Sequence, residues 1–304
     1  MVKTKVVKKL ATAKKVGSGL APAHRPKLGS VLVLTKKTGI LLWQQKRIFI
    51  GLTLVYGLLN LVLAQGLSGT DIANLKLQLS QVFTGNFGVV TSSLVVFASL
   101  IGSAGNTTSN TAGAYQLFLT LLASLTIIWA LRQSVSGRIF KLRDAYYKGM
   151  SPLIPFVLVL LVIGLELLPM AIGSTLYSIV TTQGIAHGTF EKLVWGILFG
   201  SLSLLSLYLL ASSLFALYIV TLPDMTPLKA LRSARELVRG RRWTVLRKVL
   251  FLPLLLLIVA AVIMLPFIIW ATPLAKYVYF VLSMFTLIAV HGYMYHLYRD
   301  LLNE

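Results

Sequence analysis

Val249-Leu-Phe-Leu-Pro-Leu-Leu-Leu-Leu-Ile-Val-Ala-Ala-Val-Ile-Met-Leu-Pro-Phe-Ile-Ile-Trp270 is a run of 22 residues without a single charge. The hydrocarbon core of a bilayer is about 30 Å thick, and a helix rising 1.5 Å per residue crosses it in about 20 apolar residues. The run is long enough to span. The flanks differ in charge. Residues 221–248 hold eight basic side chains, Lys229, Arg232, Arg235, Arg239, Arg241, Arg242, Arg247 and Lys248, whereas Lys276 stands alone after the run. Lys and Arg collect in the loops that stay cytoplasmic during insertion. This boundary therefore predicts a transmembrane helix and its direction.

Five further apolar runs have comparable length: Ile48–Gln65, Ala114–Leu131, Pro152–Ser174 with a weak continuation to Val180, Leu193–Val220, and Leu274–Tyr295. The expected fold is all-α, a polytopic membrane helix bundle of about six transmembrane helices. Composition agrees: 57% of the chain is hydrophobic and 12% charged, against roughly a quarter charged in soluble domains. A seventh apolar stretch, Phe87–Ser103, is rich in Gly, Ser and Thr. Counting it as a span would place the loop bearing Arg132, Arg138, Lys141, Arg143 and Lys148 on the opposite side from the other basic loops. With six spans, every Lys and Arg but Lys76, Lys192 and Lys276 faces one side. Residues 71–103 are accordingly expected as an outer interfacial or re-entrant segment. Trp43 and Trp243 then fall at inner helix ends, Trp195 and Trp270 at outer ones.

The net charge is +21. In a membrane protein this favours contact with the lipid bilayer and its anionic headgroups over nucleic acid. Residues 1–30 are Lys-rich, carry no acid and lack the apolar core of a secretory signal; they are expected as a disordered basic cytoplasmic tail ahead of a transmembrane domain at 31–304. The expected location is the bacterial cytoplasmic membrane, multi-pass, with both termini cytoplasmic. The absence of cysteine excludes thiolate catalysis and disulfides, and the four histidines form no metal motif. No metal and no cofactor are expected.

The basic loops share a pattern. Residues 226–240 place Thr226 as an N-cap, Pro227 at the first helical position and Gly240 as a left-handed terminator. Leu228, Leu231, Ala234, Leu237 and Val238 share one face, and Lys229, Arg232, Arg235, Glu236 and Arg239 cover the other. This predicts an amphipathic cytoplasmic surface helix, with Arg241, Arg242 and Trp243 at the turn into the next span. Lys36, Lys37, Trp43, Lys46 and Arg47 precede the first span similarly, Trp43 matching Trp243 and Arg47 matching Arg247; Arg138, Lys141, Arg143 and Lys148 precede the third. Three copies suggest three hairpin-like pseudo-repeats. The run Pro227…Ala230-Leu231-Arg232-Ser233…Leu237-Val238-Arg239-Gly240-Arg241-Arg242-Trp243 resembles the membrane domain in front of some bacterial glycerophosphodiester phosphodiesterases, and is similar to related stand-alone six-helix membrane proteins of unassigned function. Asp144-Ala145 fits the weaker copy in the second loop. The resemblance implies a membrane module without the phosphodiesterase's catalytic domain, whose metal-binding acids have no counterpart here.

Glu166 is the one acid inside a span, and such residues are functional candidates. Counted from the inner end of its helix, it lies roughly 20 Å deep, in the outer half, where Lys276 or Lys192 could pair with it. A structural role is expected, as an ion pair or as a protonated, hydrogen-bonded acid, rather than a substrate or proton site. His291, in the inner half of the last span near Tyr293, Tyr295 and Tyr298, is expected to be a packed, hydrogen-bonded histidine. No nucleophile–base arrangement is present. The expected function is that of a non-catalytic integral membrane protein, an envelope or lipid-associated scaffold or accessory module; the alternative is a secondary transporter or channel for a small solute or lipid that uses Glu166.

Overall fold

The computed structural model describes residues 29–64, 110–184 and 188–302. The expected tail and the 71–103 segment lie outside the described residues, apart from Gly29 and Ser30 at the end of the tail. Within them the chain is helical: α1 (Val31–Gln44), α2 (Lys46–Leu63), α3 (Asn110–Val135), α4 (Leu142–Gly149), α5 (Leu153–Thr182), α6 (Thr189–Ser213), the single turn α7 (Ala216–Ile219), α8 (Pro227–Val238), α9 (Arg242–Trp270) and α10 (Thr272–Leu302). Six helical stretches are long and apolar enough to cross a membrane, carried by α2, α3, α5, α6 with α7, α9 and α10. The first is preceded by a separate helix, because the backbone at Gln45 leaves the helical region (φ −106°, ψ 27°) and divides α1 from α2.

The expected continuation of the third span beyond Ser174 towards Val180 is present as full helix. Helix α5 continues to Thr182 through Pro169. A proline within a helix removes one hydrogen bond and its ring crowds the preceding turn. Here the next amide, Met170 N–H, donates to Ser206 Oγ on α6 at 3.0 Å. A backbone donor displaced by the proline is satisfied across the interface, and Ser206 is wholly buried. Gly173, one turn on, lies against Leu202 and Phe199, so the two helices approach closely. Elsewhere the helices turn apolar stripes outward. Leu161, Leu165, Leu168 and Ile172 are about half exposed at spacings of four, three and four, a face that suits lipid and not water.

Buried side chains gather at the end of the bundle that carries α1, α4 and α8, here called the basic end. Leu34, Phe49, Ile128, Leu131, Ala145, Phe156, Ala216, Ala230, Val245, Tyr293 and Leu297 belong to one cluster drawn from nine of the ten helices. A smaller cluster of Ala260, Met264, Ile268, Ala275 and Tyr279 holds the far ends of α9 and α10 together. Helix α10 is central, packing on α1, α2, α3 and α9.

Helix α1 is tied down by polar contacts as well as by burial. Asp300 on α10 accepts from the Gly29 amide (3.2 Å) and pairs with Lys37 Nζ (3.3 Å). Lys248, 7% exposed, donates to the Gly29 carbonyl, and Tyr293 Oη donates to the Lys248 carbonyl at 3.0 Å. Where α1 crosses α10, a Cβ on Gly292 would stand 2.7 Å from Thr38 Cγ2. Thr38 cannot turn away freely, since its hydroxyl donates to the Leu34 carbonyl at 2.9 Å. Gly292→Ala should therefore destabilise the protein by about 1–3 kcal/mol, the cost of overpacking a tight contact. Adding Thr38→Ser, which deletes the obstructing methyl and keeps the hydroxyl, should recover most of that loss in thermal unfolding of the detergent-solubilised protein. A neutral Gly292→Ala would show that the two helices do not meet this closely.

Candidate functional site

Glu166 is buried, 8% exposed, on α5. Ser213, the last residue of α6, donates its hydroxyl to Glu166 Oε1 at 2.6 Å. Arg235 Nη2 on α8 stands 3.5 Å from the same oxygen. The second oxygen, Oε2, is buried without a hydrogen-bond partner among the described residues. The partner expected from depth was Lys276 or Lys192, and the structure corrects this. Lys276 lies on α10 with its ammonium 5.0 Å over the Tyr277 ring, and Lys192 is an exposed residue of α6. Depth counted along one helix does not register a later segment folding back. Helix α8 packs against α5, α6 and α7, which carries Arg235 to Glu166.

The local sequence explains how α8 does so. Thr226 Oγ1 accepts from the Lys229 amide at 3.4 Å, Pro227 occupies the first turn, and Gly240 takes a left-handed φ of 81° just past the end. Ala230 and Ala234, one turn apart and both fully buried, let the helix come close to its neighbours; Leu231 and Val238 fill the same face. The face expected to meet the bilayer is thus largely occupied by protein. Leu228, at its start, is 76% exposed.

His291 is buried on α10 and its Nδ1 lies 3.1 Å from Tyr218 Oη, within stacked and tilted rings of Phe215, Tyr218, Tyr295 and Tyr298. It is a packed, hydrogen-bonded histidine and has no contact with Glu166. Beside it Arg132, at the end of α3, donates to the Thr221 carbonyl at 2.9 Å and to the Thr221 hydroxyl, closing the open carbonyls after α7. Arg132 and Lys248 read as loop charges in the sequence, yet each is a structural donor. Nothing in their local spacing marks them, since their acceptors are 89 and 219 residues away.

The remaining basic and aromatic candidates lie on the outside of the basic end. Trp43, Lys46, Arg47, Arg138, Lys141, Arg143, Lys148, Arg232, Arg235, Arg239, Trp243 and Arg247 are exposed; Arg241 and Arg242 are half-buried. Lys46 Nζ sits 5.0 Å over the Trp43 ring. Among the described residues no group of three or more His, Asp or Glu side chains could hold a metal. No family model, curated protein or solved structure matches the chain.

The Glu166 contacts have unequal weights. A hydrogen bond to a buried carboxylate matters because its loss leaves charge unsolvated; a pair whose cation is half in solvent is screened. Ser213→Ala should cost about 1–3 kcal/mol of stability and Arg235→Gln under about 1 kcal/mol. Combining Ser213→Ala with Glu166→Gln should recover part of the Ser213→Ala loss, because the remaining amide is neutral. Denaturant unfolding of the wild type, the single variants Ser213→Ala, Arg235→Gln and Glu166→Gln, and the Ser213→Ala/Glu166→Gln double variant measures this. Equal losses for Ser213→Ala with and without the carboxylate would remove the hydroxyl–carboxylate bond from the account.

Proposed function

We propose that the protein is a non-catalytic integral membrane module of the bacterial cytoplasmic membrane, a scaffold or accessory that works against anionic lipid. The observation that carries this reading is the separation of surfaces: the helices turn continuous apolar stripes outward, while exposed guanidinium, ammonium and indole groups crowd one end of the bundle. Exposed basic residues at a membrane surface contribute about 1 kcal/mol each towards anionic lipid. In this reading the basic end and both termini are cytoplasmic, and α1, α4 and α8, each leading into an outgoing span, are the surface helices of three pseudo-repeated hairpins. The role of α8 differs from simple interfacial insertion: its apolar face anchors it to the bundle and its basic face is left for headgroups. The six-helix resemblance fits a module that binds rather than transforms.

A second reading draws on one observation, the buried Glu166 oxygen without a hydrogen-bond partner among the described residues. An intramembrane carboxylate with a vacant acceptor suits a proton or small cation in a transporter. Its other oxygen is tied to Ser213 and Arg235, which favours the structural role.

Two measurements test these readings. The chain contains no cysteine, so single replacements report topology cleanly: Lys141→Cys and Lys229→Cys should react with membrane-impermeant maleimide only after the cytoplasmic face is opened, Lys192→Cys and Lys276→Cys without it. In reconstituted bilayers, spin-labelled anionic lipid should be retained by the protein more than zwitterionic lipid, with the preference falling as salt rises. Retention indifferent to lipid charge and salt would defeat the lipid-scaffold reading. Solute or proton flux abolished by Glu166→Gln would replace it with the transport reading.

A further inference from the structure

Where α8 turns into α9, the surface is concave. A cleft of about 440 Å³ is lined by the side chains of Tyr208, Arg239, Arg241, Arg242, Trp243 and Thr244, with Gly240 completing the lining. The volume falls within the range of sites that hold small ligands. Three of these six residues carry guanidinium groups. Arg242 is pre-positioned, its guanidinium carbon 4.6 Å over the Tyr208 ring. A stacked guanidinium keeps its edge donors free for an acceptor in its own plane, and holding it still lowers the entropy lost on binding. The left-handed Gly240 (φ 81°) makes the turn on which Arg239 and Arg241 both line the cleft. Helix α8, which carries the first half of that turn, is held in the bundle by its buried alanines and the Glu166 contact. The turn that lines the cleft is therefore anchored where it leaves α8.

One side of the cleft continues into the apolar surface. Tyr208 is 40% exposed on α6, and Leu204, one turn away on the same face, is 55% exposed. On α9, Leu250 and Leu254, seven and eleven residues after Trp243 and so on its face, are 46% and 54% exposed. Trp243 itself is 67% exposed, an amphipathic ring suited to headgroup depth. Helices α6 and α9 pack on one another. A phosphate in the cleft would have two leucine-faced helices beneath it for acyl chains.

We propose that this cleft is a specific site for a lipid whose headgroup ends in a phosphomonoester. The proposal rests on the anionic-lipid reading and sharpens it to one site and one headgroup chemistry. A phosphomonoester presents three terminal oxygens and nearly two negative charges, enough for two guanidinium forks at once; a phosphodiester headgroup presents two oxygens and one charge. General attraction to an anionic surface would not distinguish the two beyond their net charge.

The test uses full-length protein, stripped of lipid in detergent and incubated with phosphatidic acid, phosphatidylglycerol or phosphatidylcholine, with retained lipid counted by native mass spectrometry. Phosphatidic acid should be retained about tenfold over phosphatidylglycerol, the effect of somewhat more than one additional basic contact. Arg241→Gln/Arg242→Gln should abolish the preference. Tyr208→Phe should keep it, because the ring face remains, and Tyr208→Ala should reduce it. Arg138→Gln/Arg143→Gln, an equal loss of charge at another surface, should leave it unchanged, and unfolding curves of each variant confirm that the fold persists. If this control lowers the preference as much as the cleft variant does, the site assignment is overturned. Equal retention of the two lipids overturns the cleft while leaving general anionic-lipid contact in place; no retention of either over phosphatidylcholine overturns both. Displacement of phosphatidic acid by inorganic phosphate at comparable concentration would identify the ligand as a soluble phosphate and overturn the lipid source.

Discussion

Hydrocarbon does not solvate charge. Placing one Lys or Arg at the centre of a transmembrane helix costs about 2.5–3.5 kcal/mol by insertion scales, and this chain has 29 of them with only eight acids to pair with. The arrangement of the molecule follows from keeping those groups out of the apolar layer. Long uncharged helices occupy that layer, and the basic residues of the described chain fall mostly in the short connections at one end. Those connections are helical because a backbone near hydrocarbon needs its amides and carbonyls bonded.

The same cost governs the polar groups that are buried. Each charged one has a partner from a distant segment: Glu166 has Ser213 and Arg235, Lys248 has the Gly29 carbonyl, and Arg132 has the Thr221 carbonyl and hydroxyl. These contacts, with the tyrosine cluster around His291, bring five of the six spanning stretches and α1 and α8 together toward the basic end. At the far end α9 and α10 are joined by an almost wholly apolar cluster. Direction in the bundle is thus chemical as well as electrostatic. Polar specificity sits beside the basic surface, and non-directional packing sits away from it.

This gradient links the intramembrane acid to the surface without giving it a reaction. Glu166 helps seat α8, and α8 bears the first wall of the arginine-lined turn. A residue that reads as an isolated candidate site thereby becomes part of the support for a different one. Proline and glycine contribute in the same way: Pro169 releases a backbone donor that joins α5 to α6, and Gly292 permits α1 to lie on α10.

The sequence by itself determined the six spans of the described residues and the grouping of basic charge, because span length and charge exclusion are properties of single segments in a lipid solvent. It also determined the local form of α8: Thr226 caps it, Pro227 opens it and Gly240 ends it, each through contacts within a few residues. Helix boundaries were less legible: α2 begins at Lys46 where hydropathy alone pointed to Ile48, but α9 begins at Arg242 where it pointed to Val249, and α10 runs to Leu302 where it pointed to Tyr295. Only the tertiary structure decided which partner Glu166 takes, that the apolar face of α8 is largely covered by protein, that Arg132 and Lys248 are donors inside the fold, and that Tyr208 lies under Arg242. Each of these depends on residues tens to hundreds of positions apart meeting at one depth, and depth along a single helix does not say which other helix arrives there.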